Sequence, residues 1–146
     1  MEPTIRQYIR NLAMKMQGVP YIWGGEHPWN GFDCSGFVIW VLQVFEVLPS
    51  GDWTADMLYD TFATTPDPKP GDLCFYGRVD RGDYIVTHVM MYIGHLDGYP
   101  YCVGASGGDS DCKTREDALQ MNAMVKLKPV QYRKDFLGYC SIDTRK

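Results

Sequence analysis

The apolar pattern of this chain changes its period once, across Pro66-Asp67-Pro68-Lys69-Pro70-Gly71-Asp72, and that change limits the folds open to it. Before this stiff connector the spacing is helical; after it, apolar and β-branched residues alternate. Ile5, Tyr8, Ile9, Leu12 and Met16 form a helical stripe over 4–16, with Thr4 and Gln7 spaced as a capping box and Gly18 and Pro20 as a stop. Residues 34–48 are apolar nearly all round, the mark of a buried helix, and Pro49-Ser50-Gly51 ends it. Thr54 caps a further short helix through Phe62. Downstream, strands are expected over 73–76, 84–93 and 101–105, with a charged hairpin loop at 77–83 and a turn at 95–100. A loop at 107–113, a helical turn at 115–121 and strands over 124–127 and 136–142 follow. Helices first and a meandering sheet afterwards predict an α+β fold, with N-terminal helices packed on an antiparallel sheet of five to six strands. No repeat or linker interrupts the 146 residues, so a single domain over 1–146 is expected.

Composition excludes several classes of function. The formal charge is −4 and the basic residues are scattered, so no arm or stripe for nucleic acid is present. The longest apolar run is broken by Gln43 and Glu46 and is too short for membrane insertion. Residues 1–6 lack a basic segment followed by an apolar stretch, so the expectation is a chain made in the cytoplasm, which another protein would have to carry or release. The five cysteines form no CxxC pair and no even framework, and reduced thiols are expected. A zinc site from Cys102, Cys112 and His95 matches no finger or ribbon spacing, so neither a metal nor a cofactor is expected.

The chemistry gathers at Gly31-Phe32-Asp33-Cys34-Ser35-Gly36-Phe37-Val38, where a loop rich in Gly, Pro and Trp meets the buried helix. A thiol there lies over the helix N-terminus, where free N–H groups and the dipole favour a thiolate, the form a nucleophile needs. Asp33 opposes this, so a cationic partner is required. The bland alternative for Cys34 is a small core cysteine; its polar flanks argue for a nucleophile. Three histidines are available as its base. His27 and His95 sit in a loop and a turn, where a solvated surface role suffices. His88 stands inside a strand, which holds a base rigidly against a nucleophile, although a satisfied strand histidine would look the same.

Four segments in order, YIWGG, FDCSGFV, PGDL and THVMMYIG, resemble the NlpC-type cell-wall peptidases, a papain-like cysteine peptidase family. The resemblance spans roughly 19–106. DCSGF followed at this distance by HV-x-x-YIG carries it, and the order of cysteine before histidine separates it from the circularly related acyltransferase-like members. It implies Cys34 as nucleophile, His88 as base and Tyr21 as a cleft residue whose hydroxyl steadies the thiol or the oxyanion. It places Asp33 and Ser35 where relatives bind the free amino end of a short peptide stem, and Trp23 and Trp29 as cleft walls. The tail segments 104–110, 125–133 and 135–139 look like the compact phage- and prophage-encoded branch, which implies phage structural or lysis partners and virion association.

The sequence departs from the family at the third catalytic residue. Relatives carry a second polar side chain, commonly His, on the next strand; here that strand reads Cys102-Val103-Gly104-Ala105-Ser106. A water in the space left by Gly104, the Ser106 hydroxyl, or an acid from Asp109 or Asp111 are the alternatives, and an impaired enzyme is a fourth. The reaction implied is hydrolysis of peptidoglycan stem peptides, at a γ-D-glutamyl bond to a diamino acid, through a thioester. A weakly active phage tail or assembly component and a hydrolase of another amide are the competing readings.

Overall fold

The computed structural model of the chain describes residues 3–146. Helix α1 (Pro3–Lys15) leads into an irregular segment and a small ribbon of β1 (Glu26–His27) and β2 (Gly31–Phe32), then α2 (Cys34–Val44) and α3 (Ala55–Thr61). The remaining strands are β3 (Phe62–Thr65), β4 (Leu73–Asp80), β5 (Asp83–Leu96), β6 (Tyr99–Ser106), β7 (Met124–Pro129) and β8 (Phe136–Arg145). Helix α4 (Arg115–Met121) precedes β7, and a 3-10 turn (Val130–Tyr132) follows it. The fold is α+β: an antiparallel six-stranded sheet in the order β3-β8-β4-β5-β6-β7, with helices packed on it. No helix among the described residues is long and apolar enough to cross a membrane.

Several boundaries differ from those read in the sequence. The charged segment 77–83 is not a loop. β4 and β5 run to a two-residue turn in which Arg81 and Gly82 both take positive φ, the geometry that matches strand twist. Asp97-Gly98 makes the second such turn, between β5 and β6. Charge masked these strands, since an exposed hairpin tip buries nothing and so lacks alternation. Helix α2 stops at Val44, where Phe45 caps it and Glu46 takes φ 58°, so Val47 and Leu48 belong to the exit loop. Strand β3 was hidden because it continues directly from α3 and is held by β8, a pairing no local pattern announces. Thr4 lies inside α1 rather than at its cap; the position preceding Pro3 is outside the described residues.

The larger core lies between the helices and the sheet and includes Ile9, Phe32, Phe37, Val41, Leu42, Phe75, Val89 and Met91. A second, smaller cluster of Cys74, Tyr76, Met90, Tyr92, Cys102 and Val130 has Tyr132, Phe136 and Tyr139 packed against it. Tyr76 is fully buried, and its hydroxyl donates to the Val130 carbonyl at 2.8 Å, which ties the 3-10 turn to β4. A buried ion pair fastens α1 to the sheet. Arg6 donates to Asp72 at 3.0 Å and to Asp143 at 2.9 Å, and also to the Pro70 carbonyl.

Close backbone approach fixes the loop that precedes α2. A Cβ on Gly36 would stand 2.0 Å from the Gly25 carbonyl oxygen, and one on Gly25 would stand 2.3 Å from that of Gly31. Both glycines of the WGG and DCSG segments are therefore packing requirements. Gly36→Ala is expected to cost about 1–3 kcal/mol by overpacking, read as a lower urea midpoint with an unchanged slope.

Candidate active site

Asp33 caps α2 with extended backbone, and its Oδ1 accepts from the Gly36 N–H at 2.7 Å. The same oxygen takes the Ser35 hydroxyl at 3.3 Å, while Oδ2 takes the Gly24 N–H at 3.2 Å. This places Cys34 at the first position of the helix, half-buried, where the sequence puts a thiol over free N–H groups. The N–H groups of Val89, Ser35 and Cys34 itself all favour the thiolate, yet burial outweighs them and, with the Asp33 charge beside it, pushes the thiol up. The expected lowering by the helix N-terminus is present but overcome. It is overcome because the first turn of α2 is packed under loop 24–25 and strand β5 rather than open to water.

The Val89 N–H at the sulfur brings the residue after His88 to the thiol. His88 reaches this place through a bulge: Tyr76 opposes His88, but Gly77 opposes Val86, so Thr87 is the extra residue. Gly77 permits the approach, because a Cβ there would lie 1.9 Å from the Ile85 carbonyl oxygen. The His88 ring is 6% exposed and packs near Tyr76 and Tyr132. Its pKa is lowered to about 3, first by burial and then by the Arg133 charge, against a smaller opposing effect of Asp135. Burial thus acts on both groups in the same sense, raising the thiol and lowering the imidazole, which favours the neutral forms over an ion pair.

The group behind His88 is none of those expected. Its Nε2 is hydrogen-bonded to the Tyr132 hydroxyl at 2.9 Å. The place beside Gly104 is filled by Met90, whose sulfur would stand 2.5 Å from an added Cβ, so Gly104 accommodates packing and leaves no gap for water. Ser106 is buried without a hydrogen bond to the ring, Asp109 accepts from the Asp111 N–H at 2.8 Å within its own loop, and Asp111 is exposed. Sequence reasoning missed Tyr132 because it comes from the turn after β7, some 40 residues beyond His88, where only the β4–β7 packing brings it home. The one available signal was a tyrosine in a short segment flanked by Pro129 and Arg133.

Tyr21 is buried, and its acidity is suppressed by burial and then by the nearby Cys34 and Asp33, so it remains a phenol next to the thiol. Its N–H donates to the Ala123 carbonyl, its carbonyl accepts from the Cys112 thiol at 3.1 Å, and Gly108 lies on its ring. A cavity of about 300 Å³ opens on the first turn of α2, lined by Asp33, Ser35 and Gly36 together with Glu26, Trp40 and Trp53. Trp23 and Trp29 are 56% and 68% exposed, and Trp29 stacks on His27 at 4.9 Å. Neither tryptophan lines that cavity, so the walls come from Trp40 and Trp53, which the sequence placed in the core helix and its exit loop. A larger groove of about 970 Å³ between Tyr59, Tyr84 and Leu137 holds none of the predicted site residues. His95 is bonded to the Tyr92 hydroxyl at 2.9 Å, and no group of three or more His, Cys, Asp or Glu side chains suited to a metal occurs among the described residues.

The fold and site define a half-buried thiol at a helix N-terminus, with the strand that carries a buried histidine running past it, an arrangement shared with thiol hydrolases. The NlpC/P60 family model matches residues 18–99, more than half of the chain, and the chain belongs to that family. It is 38% identical over 86 residues to the bifunctional muramidase/DL-endopeptidase CwlT of Bacillus subtilis (strain 168), covering 57% of this chain and 25% of that protein. It is 36% identical over 91 residues to the murein DD-endopeptidase MepH of Escherichia coli (strain K12), covering 58% of this chain and 32% of that one. The match thus spans a third or less of either relative. Among solved structures, the NlpC/p60 domain of the peptidoglycan hydrolase SagA superposes with a TM-score of 0.64 at 27% identity, over 93% of this chain and 97% of that one.

Proposed function

We propose that the protein is a cysteine peptidase that hydrolyses the peptide stems of peptidoglycan. The observation that carries this is the convergence of a helix, a strand and a distant turn: the Val89 N–H of β5 reaches the Cys34 sulfur one residue from His88, and the Tyr132 hydroxyl meets His88 Nε2 at 2.9 Å. With Nε2–H donated to Tyr132, His88 presents Nδ1 as the base. Cys34 passes its proton to Nδ1 as the sulfur attacks the amide carbon. The oxyanion is received by the Cys34 N–H at the head of α2 and by the Tyr21 hydroxyl. The imidazolium then protonates the leaving amine as the C–N bond breaks. Water, deprotonated by His88, opens the thioester to a carboxylic acid and the free thiol.

Asp33 and Ser35 border the cavity in which a stem's free amino end would lie. Two donors already occupy Asp33 Oδ1, so an amino group would be met by the charge and by Oδ2, which takes only the Gly24 N–H. Trp23 would shape the outer rim. A γ-D-glutamyl–diamino acid bond is our choice of scissile bond. The named activities of the two relatives, DL- and DD-endopeptidase, differ, so the products decide it. Carriage by a virion rests only on the tail segments 104–110, 125–133 and 135–139. Digestion of purified muropeptides with the wild type and Cys34→Ala, products identified by mass, tests the whole reading; an active Cys34→Ala protein ends it.

Tyr132→Phe removes the hydroxyl and keeps the ring. Loss of an orienting partner frees the imidazole tautomer, and kcat is expected to fall about 10–100-fold with KM unchanged, less than loss of the base itself. An unaltered kcat would remove Tyr132 from the mechanism.

A further inference from the structure

The segment after the 3-10 turn carries an ion pair that the reaction scheme above does not use. Arg133 Nε and Nη2 donate to the two carboxylate oxygens of Asp135 at 2.9 and 2.6 Å, a two-pronged fork. Between two residues so close in sequence, at a half-exposed site, such a pair contributes little to stability. Its position is more telling. The guanidinium lies 5.5 Å from the Tyr76 ring centroid, and its charge counteracts part of the upward push that burial gives the neighbouring Tyr132 hydroxyl. The Asp135 carbonyl accepts the Gly77 N–H at 2.9 Å, at the bulge that aims His88. Tyr76 in turn holds Val130, two residues before Tyr132. Segment 130–135 is therefore pinned to β4 on both sides of Tyr132, and its two charges end behind the His88 ring.

We propose that Arg133 and Asp135 form an ion-paired buttress behind Tyr132, positioning the hydroxyl that holds His88, with Asp135 offsetting part of the Arg133 field at the imidazole. The proposal rests on Cys34 and His88 as the catalytic pair. The other titratable and charged groups of the packed elements are Tyr76 of β4, 5.4 Å from the His88 ring, Lys128 of β7, whose ammonium sits 5.7 Å from the Tyr132 ring centroid, and Cys34 with Asp33 at the head of α2, near Tyr21. They are the same in all the variants below. Arg133 opposes protonation of His88 and Asp135 favours it. An imidazolium must form transiently when the thiol attacks, so an unbalanced cation at this place slows acylation. A tyrosine also differs from a carboxylate as the residue behind the base. It brings no charge of its own, and the pair supplies both charges at one remove.

The test is titration of the His88 ring by nitrogen-resolved NMR, alongside turnover, in four variants. Arg133→Gln leaves the carboxylate uncancelled and is expected to move the ring's midpoint upward by about one pH unit. Asp135→Asn leaves the cation uncancelled, keeps the ring neutral below the wild-type midpoint, and lowers kcat about tenfold with KM unchanged. The double variant is expected to return the midpoint toward the wild type. Arg133→Lys keeps the charge and loses the fork, so its midpoint stays near the wild type while kcat falls. Single variants shifting in the same direction, or a double variant that does not return, would overturn the proposal, because a merely structural pair has no reason to act with opposite signs. The titration needs no turnover and is repeated in the Cys34→Ala background. An active Cys34→Ala protein would sink the nucleophile assignment and leave the ring titration to be judged by itself.

Discussion

Cys34→Ala is expected to lower muropeptide cleavage by about 10⁴–10⁶-fold, to the limit of detection, without loss of fold. The Ser35 hydroxyl in the same turn is turned to Asp33 and does not replace the sulfur, and removing a nucleophile forfeits the whole covalent route, about 5–8 kcal/mol of barrier lowering. Alkylation gives the same answer without mutation. Cys74, Cys102, Cys112 and Cys140 are buried, so iodoacetamide acting on the native protein should modify Cys34 and stop turnover at one equivalent. The pH dependence follows from the direction of the thiol's shift. Burial raises it, so the thiolate is scarce at pH 7 and alkylation should accelerate as pH rises, with its inflection above that of a free cysteine. Turnover depends instead on neutral His88 taking the proton during attack, and its acid limb should lie far below 6.5, since the ring's pKa is lowered to about 3. Fast alkylation at pH 7 would mean that a thiolate–imidazolium pair exists at rest.

Asp72→Ala is expected to destabilise the protein by about 3–5 kcal/mol, measured by urea unfolding. The carboxylate is 1% exposed and receives three donors: Arg6 at 3.0 Å, the Lys69 N–H at 2.8 Å and the Ile142 N–H at 3.0 Å. Its removal strands the buried Ile142 N–H and the part-buried Lys69 N–H, and takes away one of the two carboxylates that pair with the Arg6 guanidinium. Asp143 and the Pro70 carbonyl still hold Arg6, which keeps the loss below that of an isolated buried charge. The Gly-Asp of the PGDL segment thus belongs to stability, anchoring α1 where β4 begins. A loss below about 1 kcal/mol would show that water repairs the site.

How much of this was legible depends on how far each feature reaches along the chain. The apolar run of α2 and the Gly-rich loop before Cys34 are local, and periodicity and composition revealed them. The long β5 was visible through its Val, Ile, Thr and Tyr content, but the charged hairpin half of β4, residues 77–80, was not. The environment of Cys34 was misjudged because a helix N-terminus is a local feature whereas burial is not. Gly25 packs on Gly36 in the first turn of α2, and the Val89 N–H reaches the sulfur from β5.

Sequence by itself determined the α+β layout, the thiol at the head of a buried helix, and a histidine held in a strand. Those are consequences of 3.6- and 2-residue periodicities and of residue types at short range. Only the tertiary structure decided what stands behind His88. The neighbouring strand's Gly104 is filled by Met90, and Tyr132 arrives from a turn more than forty residues away, held there by Tyr76 and the Arg133–Asp135 pair. A hydrogen-bond partner is chosen by whichever side chain packing delivers to the ring nitrogen, and no spacing along the chain encodes that.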